Sequence, residues 1–150
     1  MHHRFDPVVL FEQAERNYMA KRREKTGIYI DLQHLFRIIY AGQFEMNKRD
    51  RACIMADTIK QLLAINSNFS LSYIEEDKMK YIIRMIAAFE NLKFILRFCI
   101  DEKMFKTEKT VNAIRERVVK LEEGIGKWRK FINGNRQDPD LHGQVRTTLV

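Results

Sequence analysis

The sequence predicts an all-α protein: an antiparallel up-down four-helix bundle with an extra N-terminal helical arm and a flexible C-terminal tail. Apolar residues recur at steps of three and four over several segments, which is the period of a buried helix face. No run alternates apolar and polar residues between turn dipeptides, as a strand would. Only 6 Gly and 2 Pro interrupt the 150 residues. Helices of about 20 to 30 residues joined by short loops are typical of bundles, so we assign residues 1–27 to the arm, 28–132 to the bundle and 133–150 to the tail.

The first two predicted helices are defined by their ends and by one apolar stripe. The arm helix covers about 7–25, because Asp6 can cap it and Pro7 suits the first helical position. Gly27 ends it. The second helix covers about 28–45 and places these residues on one face: Ile28, Leu32, Leu35, Phe36 and Ile39.

The third predicted helix covers about 48–66, with Asn47 as its N-cap. Its helical period is carried by Ala52, Met55, Ala56, Ile59, Leu62 and Leu63. The stretch "NSNFSLS" at 66–72 predicts a loop, because Asn and Ser cluster there.

The fourth predicted helix, about 73–102, is the longest and most apolar, and it has two adjacent apolar seams. The first seam consists of Tyr81, Met85, Ala88, Leu92, Ile95 and Cys99. The second consists of Ile82, Ile86, Phe89, Leu96 and Ile100. A helix with two such seams must touch partners on both, so it is central in the fold or contacts another subunit. We therefore expect a higher oligomer.

The last predicted helix covers about 108–132, with Thr107 as its cap. In "VNAIRERVVKLEEGIGKWRKFI" the apolar seam consists of Val111, Ile114, Val118, Leu121, Ile125, Trp128 and Ile132. From Asn133 onward the periodicity is lost, which predicts the flexible tail.

Net charge is +7 and is unevenly distributed along this basic protein. Residues 103–136 carry 10 basic and 4 acidic side chains, a net of +6, whereas residues 26–102 balance at 10 of each. A rigid surface with clustered Lys and Arg favours contact with a polyanion.

Neither an apolar leader nor a membrane span is predicted, since no stretch approaches the roughly 18 apolar residues that a span needs. We expect a cytoplasmic protein. Cys53 and Cys99 lie in apolar helical stretches without a second Cys or His at ligand spacing, so we predict two buried free thiols in a reducing compartment.

Catalytic and metal signatures are missing from the sequence. His34 stands alone on a helix, and "YIEEDK" and "KLEEG" lack the Glu-x-x-His pairs of bundle di-metal sites. The "GIG" at 124–126 lacks the rest of a phosphate loop. We predict a protein that is not an enzyme and has no metal and no cofactor.

The basic residues of the last helix are the candidate functional residues. They are Arg115, Arg117, Lys120, Lys127, Arg129 and Lys130, and all lie off the apolar seam. One interpretation is a solvated helix face; the other is contact with the phosphates of a nucleic acid, with little sequence preference. Base stacking has weak support, because Trp128 belongs to the apolar seam.

Three features in sequence order carry a resemblance to a known family. Leu96-Arg97 ends an apolar helix, "IDEKMFK" (100–106) forms a turn, and the next helix closes on Leu121, Ile125, Gly126 and Trp128. This order resembles the C-terminal half of the accessory variability determinant (Avd) family of diversity-generating retroelements. The similarity is specific over about 92–128 and looser over about 30–132.

Two positions depart from the family pattern. Glu122 stands where a Gly is usual, and Lys127 replaces one of the paired Gly before the Trp. Both lie in the closing motif, where they would alter close packing between subunits.

The resemblance implies a homopentameric four-helix-bundle protein without an active site. Its partners would be the element's reverse transcriptase and its template RNA or cDNA, and its role would be to support mutagenic retrohoming. It further implies that Trp128 anchors the last helix or a subunit contact. The candidate contacts to reverse transcriptase or nucleic acid are then Arg97, Arg115, Arg117, Lys120, Lys127, Arg129 and Lys130, of which the family motif fixes only Arg97.

Two alternatives stay open. Four-helix-bundle proteins encoded in intervening sequences of ribosomal RNA genes are similar in fold and closing motif. A basic scaffold that binds a protein and no nucleic acid would show the same charge.

Overall fold

The computed structural model describes residues 6–10, 12–14 and 26–134, and within these ranges it is helical with no strand. The four long helices are α1 (Gly27–Gly42), α2 (Lys48–Ile74), α3 (Lys78–Asp101) and α4 (Glu108–Gly134), with a short 3-10 turn, Gln43–Glu45, after α1. The predicted all-α class is confirmed. Residues 7–10 and 12–14 are also helical, and Asp6 Oδ1 accepts the Val8 N–H at 3.0 Å, as its predicted capping role requires. The remaining parts of the predicted arm and tail lie outside the described residues.

The four helices pack against one another around a continuous apolar core. The most extensive contacts are between α2 and α3 and between α1 and α4, while α3 also contacts α4 and α1 contacts α2. Fully buried side chains come from all four helices, among them Leu35, Ile65, Leu92 and Leu121. Burying one such side chain contributes about 1.5–3 kcal/mol, so this shared core is the main stabilising contribution.

Two glycines bring α1 and α4 into close contact at separate points. A Cβ added to Gly42 would lie 2.9 Å from Thr110 Cγ2, and one added to Gly124 would lie 3.1 Å from Ile28 Cγ1. A larger residue at Gly42 would force the Thr110 side chain to move, and one at Gly124 would press against Ile28.

The predicted loop at 66–72 is wrong, because α2 continues through it to Ile74. Its polar side chains are satisfied within the helix: Asn68 Nδ2 donates to the Ala64 carbonyl at 2.8 Å, and Ser70 Oγ donates to the Asn66 carbonyl at 2.9 Å. Phe69 is fully buried on the same stripe. Core packing and local back-bonding thus outweigh the loop preference of Asn and Ser.

The turn that the sequence placed at 66–72 lies instead at Glu75–Asp77, so α3 begins at Lys78 rather than at 73. Lys78 Nζ donates to the Tyr73 carbonyl at 2.9 Å and closes the end of α2. Burial lowers the pKa of Lys78, and the nearby Glu75 carboxylate opposes this only in part. At its other end, α4 extends two residues beyond the predicted boundary, to Gly134.

The prediction that both thiols are buried is wrong for Cys53, which is exposed, whereas Cys99 is buried. The buried stripe of α2 runs through Met55, Thr58 and Leu62, and Cys53 lies beside it on the outer face. An apolar stretch is therefore insufficient to bury a cysteine that falls off the helical period.

Both predicted seams of α3 are used within the chain. Met85 and Leu92 of the first seam and Ile82 and Phe89 of the second are buried in the core. A separate set on the same helix is left exposed: Ile83 (56%), Phe94 (75%) and Phe98 (45%). This third set is available for contact with another subunit.

Glu45 joins the two connections at one end of the bundle. Its Oε1 accepts the backbone N–H groups of Lys106 at 2.9 Å and Thr107 at 2.8 Å, and the Thr107 hydroxyl at 3.0 Å. Its Oε2 accepts the Thr110 hydroxyl. An anion at the start of a helix satisfies free N–H groups and interacts favourably with the helix dipole. Glu45 therefore caps α4 from outside, together with the predicted cap Thr107, whose Oγ1 accepts the Thr110 N–H at 3.3 Å.

Replacement of Glu45 by Gln should destabilise the protein by about 1 kcal/mol at neutral pH, the usual contribution of a helix cap. Burial alone raises the pKa of the Glu45 carboxyl, but hydrogen bonds from Thr110, Thr107 and Lys106 outweigh burial and lower that pKa. The stabilisation is therefore complete above the pKa of an unfolded glutamate, about 4.3, and is lost as pH falls through the lower folded value. Urea unfolding of wild type and E45Q between pH 7 and pH 3 measures this difference.

The control is Glu76→Gln, at an exposed position in the α2–α3 turn. It should leave stability unchanged across the same range. A difference between wild type and E45Q that stays constant down to pH 3 would contradict the capping role.

Candidate functional site: the basic flanks of α4

The surface of helix α4 must accommodate both an apolar stripe that packs in the core and a large number of charged side chains. It carries seven basic and four acidic side chains, and it also contacts both α1 and α3. Ile114, Leu121, Ile125 and Ile132 occupy its buried stripe. The charged residues are therefore confined to the outer face and to the two flanks, and they do not form one patch.

The first flank is a groove between α3 and α4 of about 570 Å³, and it contains Arg97 and Arg115. Its floor includes Leu96, Ile114 and Val118. Both guanidinium groups are on exposed residues, and neither forms an ion pair with a described residue. They are thus available to an anion from outside the chain.

Lys93 lies in the same groove but already forms ion pairs within the chain. Its Nζ lies 2.7 Å from Glu90 Oε1 and 2.8 Å from Glu122 Oε1, and the second contact joins α3 to α4. Burial alone lowers the pKa of Lys93, but the hydrogen bonds to Glu122 and Glu90 outweigh burial and raise that pKa. Glu122, which departs from the family pattern, is therefore a bridge between two helices.

The second flank is a groove between α1 and α4 of about 440 Å³, and it contains Lys120 and Lys127. Lys120 lies 3.2 Å from Glu116 Oε1, a surface pair that contributes little to stability. Lys127 is exposed and forms no ion pair with a described residue.

Arg117 differs from the other candidates because it has a partner. Its Nη1 donates to Asp31 Oδ1 of α1 at 3.3 Å, and both side chains are mostly buried. This contact ties α1 to α4, so Arg117 is a structural residue in the isolated chain.

The last two candidates lie near the end of α4. Lys130 is exposed and free of acidic partners among the described residues. Arg129 is half-buried, and its Nε is shielded from solvent without a hydrogen bond to any described residue. Of the seven predicted residues, two thus lie in the α3–α4 groove and two in the α1–α4 groove, while Arg117 is paired across to α1.

An aromatic cluster beside the second groove was missed by the sequence analysis. Trp128 packs near-parallel to Tyr73 (5.2 Å between ring centroids, 12° between planes) and to Phe131 (5.6 Å, 17°). Phe69 meets Trp128 edge-on at 6.0 Å. Trp128 Nε1 donates to Ser72 Oγ at 3.0 Å. Trp128 therefore anchors α4 to α2 within the chain.

In the described part of the chain, metal-ligand clusters are absent and the one buried thiol is a poor nucleophile. Residues 6–10, 12–14 and 26–134 contain no group of three His, Cys, Asp or Glu side chains placed to hold a metal ion. Burial raises the pKa of Cys99 to about 11, so its thiol is protonated at neutral pH. In the same residues, none of the helices combines the length and the apolar character needed to cross a membrane.

Comparisons of the chain with protein-family models, with curated proteins and with solved structures give no match.

Replacement of Ser72 by Ala should lower the free energy of unfolding by about 1 kcal/mol or more, because it leaves the indole N–H of Trp128 without its acceptor. Guanidinium unfolding followed by the emission of Trp128, the single Trp of the chain, measures the loss. Ser67→Ala on the exposed face of α2 is the matched control and should cost nothing. Equal stability of the two variants would contradict the anchoring role.

Proposed function

We propose that this protein is a non-catalytic accessory protein of a diversity-generating retroelement, similar to the Avd family, which binds the element's reverse transcriptase and its template RNA or cDNA. The observation that carries the proposal is the placement of the positive charge. Among the described residues Arg97, Arg115, Lys127 and Lys130 are exposed and lack acidic partners, and they lie on or beside α4. Cations without intramolecular partners are the ones that can release counterions from a polyanion.

We propose different binding partners for the two grooves that flank α4. The α3–α4 groove combines Arg97 and Arg115 with an apolar floor, a mixture typical of protein interfaces. The α1–α4 groove has Lys120 and Lys127 at its edge. We assign nucleic acid to the second groove and to Arg115 at the edge of the first, and reverse transcriptase to the rest of the first groove.

The proposed bundle is of the antiparallel up-down type. Its support is that the connections between helices are short and that α1 contacts α4 in reverse order: the end of α1 at Gly42 meets Thr110, and its start at Ile28 meets Gly124. Short connections favour antiparallel neighbours.

The proposed assembly is a homopentamer: the number of subunits follows the resemblance to Avd, and the exposed apolar set Ile83, Phe94 and Phe98 on α3 supports association. Apolar side chains of this size seldom remain together in water unless a partner covers them. Light scattering should give five times the mass of one chain, and F94E combined with F98E should reduce it. A wild-type mass of one chain would contradict the assembly.

Charge reversal of Arg115, Lys120 and Lys127 together to Glu should abolish RNA binding and leave the helical circular-dichroism signal unchanged. The three side chains are exposed on α4, and none of them has a partner that the fold needs. Wild-type affinity for RNA should fall steeply with salt, as expected when Lys and Arg contact phosphates. Fluorescence anisotropy with a labelled transcript measures both effects.

The matched control reverses Lys48, Arg49 and Lys60, which are equally exposed on α2 and change the net charge by the same amount. It should retain most of the binding. Equal loss in both variants would show that net charge alone is responsible and would remove the claim for α4.

Affinity purification of the tagged wild type from its host separates the remaining alternatives. Recovery of a reverse transcriptase with one defined transcript supports the retroelement function. Recovery of ribosomal RNA would favour the intervening-sequence type, and recovery of a protein without nucleic acid would favour the scaffold. Either of the last two results contradicts the proposal.

A further inference from the structure

Phe131 is an exposed aromatic residue in a basic groove. Its side chain is 58% exposed, although it belongs to the lining of the α1–α4 groove. The ring contact that the structure gives for it is with Trp128 of the same helix. Exposing a large aromatic side chain to water is unfavourable, so a ligand that covers it gains free energy.

The ring is held in place from behind. Phe131 lies near-parallel to Trp128, and Trp128 lies near-parallel to Tyr73, so three rings form one column from α2 to the surface of α4. Ser72 fixes the middle ring through its hydrogen bond to the indole N–H. The exposed ring is therefore a flat platform on a rigid support.

The charges beside the platform select the type of ligand. Lys127 lies one helical turn before Phe131, and Lys120 two turns before that, along the same groove. Asp31 is held by Arg117, which leaves Glu123 as the acidic lining residue without an ion pair among the described residues. Two lysines disfavour an arginine-rich ligand and favour one that combines a flat π face with repeated negative charge.

Single-stranded nucleic acid combines a flat base and a negatively charged phosphate in every nucleotide. We propose that the groove between α1 and α4 binds a single strand, with one unpaired base stacked on Phe131 and neighbouring phosphates on Lys127 and Lys120. The inference rests on the proposed function and specifies its nucleic-acid ligand: unpaired rather than duplex. Bases inside a duplex are already stacked on both faces and cannot cover the ring.

Phe131→Ala should weaken binding of a labelled oligodeoxythymidine of about twelve residues by roughly 5- to 100-fold, the effect typical of one lost stacking contact. The same variant should bind an abasic strand of equal length, and a blunt duplex, as wild type does. Phe131→Tyr keeps the ring and should restore the affinity. Phe44→Ala is the matched control, since Phe44 is 62% exposed in the middle of the 3-10 turn and does not line the groove.

The fluorescence emission of Trp128 provides a second readout, and electrostatic binding without stacking should not change it. A base stacked on the outer face of Phe131 lies one ring away from the single Trp, so oligodeoxythymidine should change its emission in wild type and in F44A but not in F131A. The abasic strand should leave the emission unchanged in all of them.

The outcomes separate this inference from the function on which it rests. If F131A binds the oligodeoxythymidine as tightly as wild type, stacking is wrong, while electrostatic binding stands. If F131A loses affinity equally for the single strand, the abasic strand and the duplex, Phe131 acts through the fold, and the inference is overturned. If wild type binds none of the three probes, both the inference and the nucleic-acid part of the proposed function fail.

Discussion

Burial of the apolar stripe of α4 between α1 and α3 is the constraint on which the rest of the structure depends. The helix that carries seven basic side chains, more than any other of the four, is also the one that contacts both of these neighbours. The basic side chains of α4 can therefore lie only beside the buried stripe or on the solvent-exposed face of the helix. This competition explains why Arg115 and Lys127 are in different grooves although they belong to one helix.

The two ends of the bundle are held by different kinds of interaction. At one end the Glu45 carboxylate joins the two connections through hydrogen bonds to Lys106, Thr107 and Thr110. At the other, α2 and α4 meet through packed rings and the bond from Trp128 to Ser72. The first set depends on a charge and responds to pH, whereas the second depends on apolar area and shape. The two grooves proposed for binding lie along α4, between the Glu45 hydrogen bonds at its start and the ring cluster near its end.

The sequence was informative where a signal is local. The caps Asn47 and Thr107 accept the N–H groups expected of them, at Asp50 and Thr110. Features that depend on distant residues could not be predicted: Arg117 finds Asp31 86 positions away along the chain, and Glu45 reaches Thr107 from 62 positions away. The 66–72 loop failed for the same reason, since buried Phe69 outweighs the local preference of Asn and Ser. Phe131 lay beside the seam in the sequence, and only the structure shows its ring against Trp128.

The close contacts at Gly42 and Gly124 have a consequence for the shape of what can bind. Because α1 touches α4 at both points, the groove between them cannot widen without separating the helices there. The α1–α4 groove therefore has a floor of fixed width, and a ligand must fit that width because the groove does not open to fit the ligand.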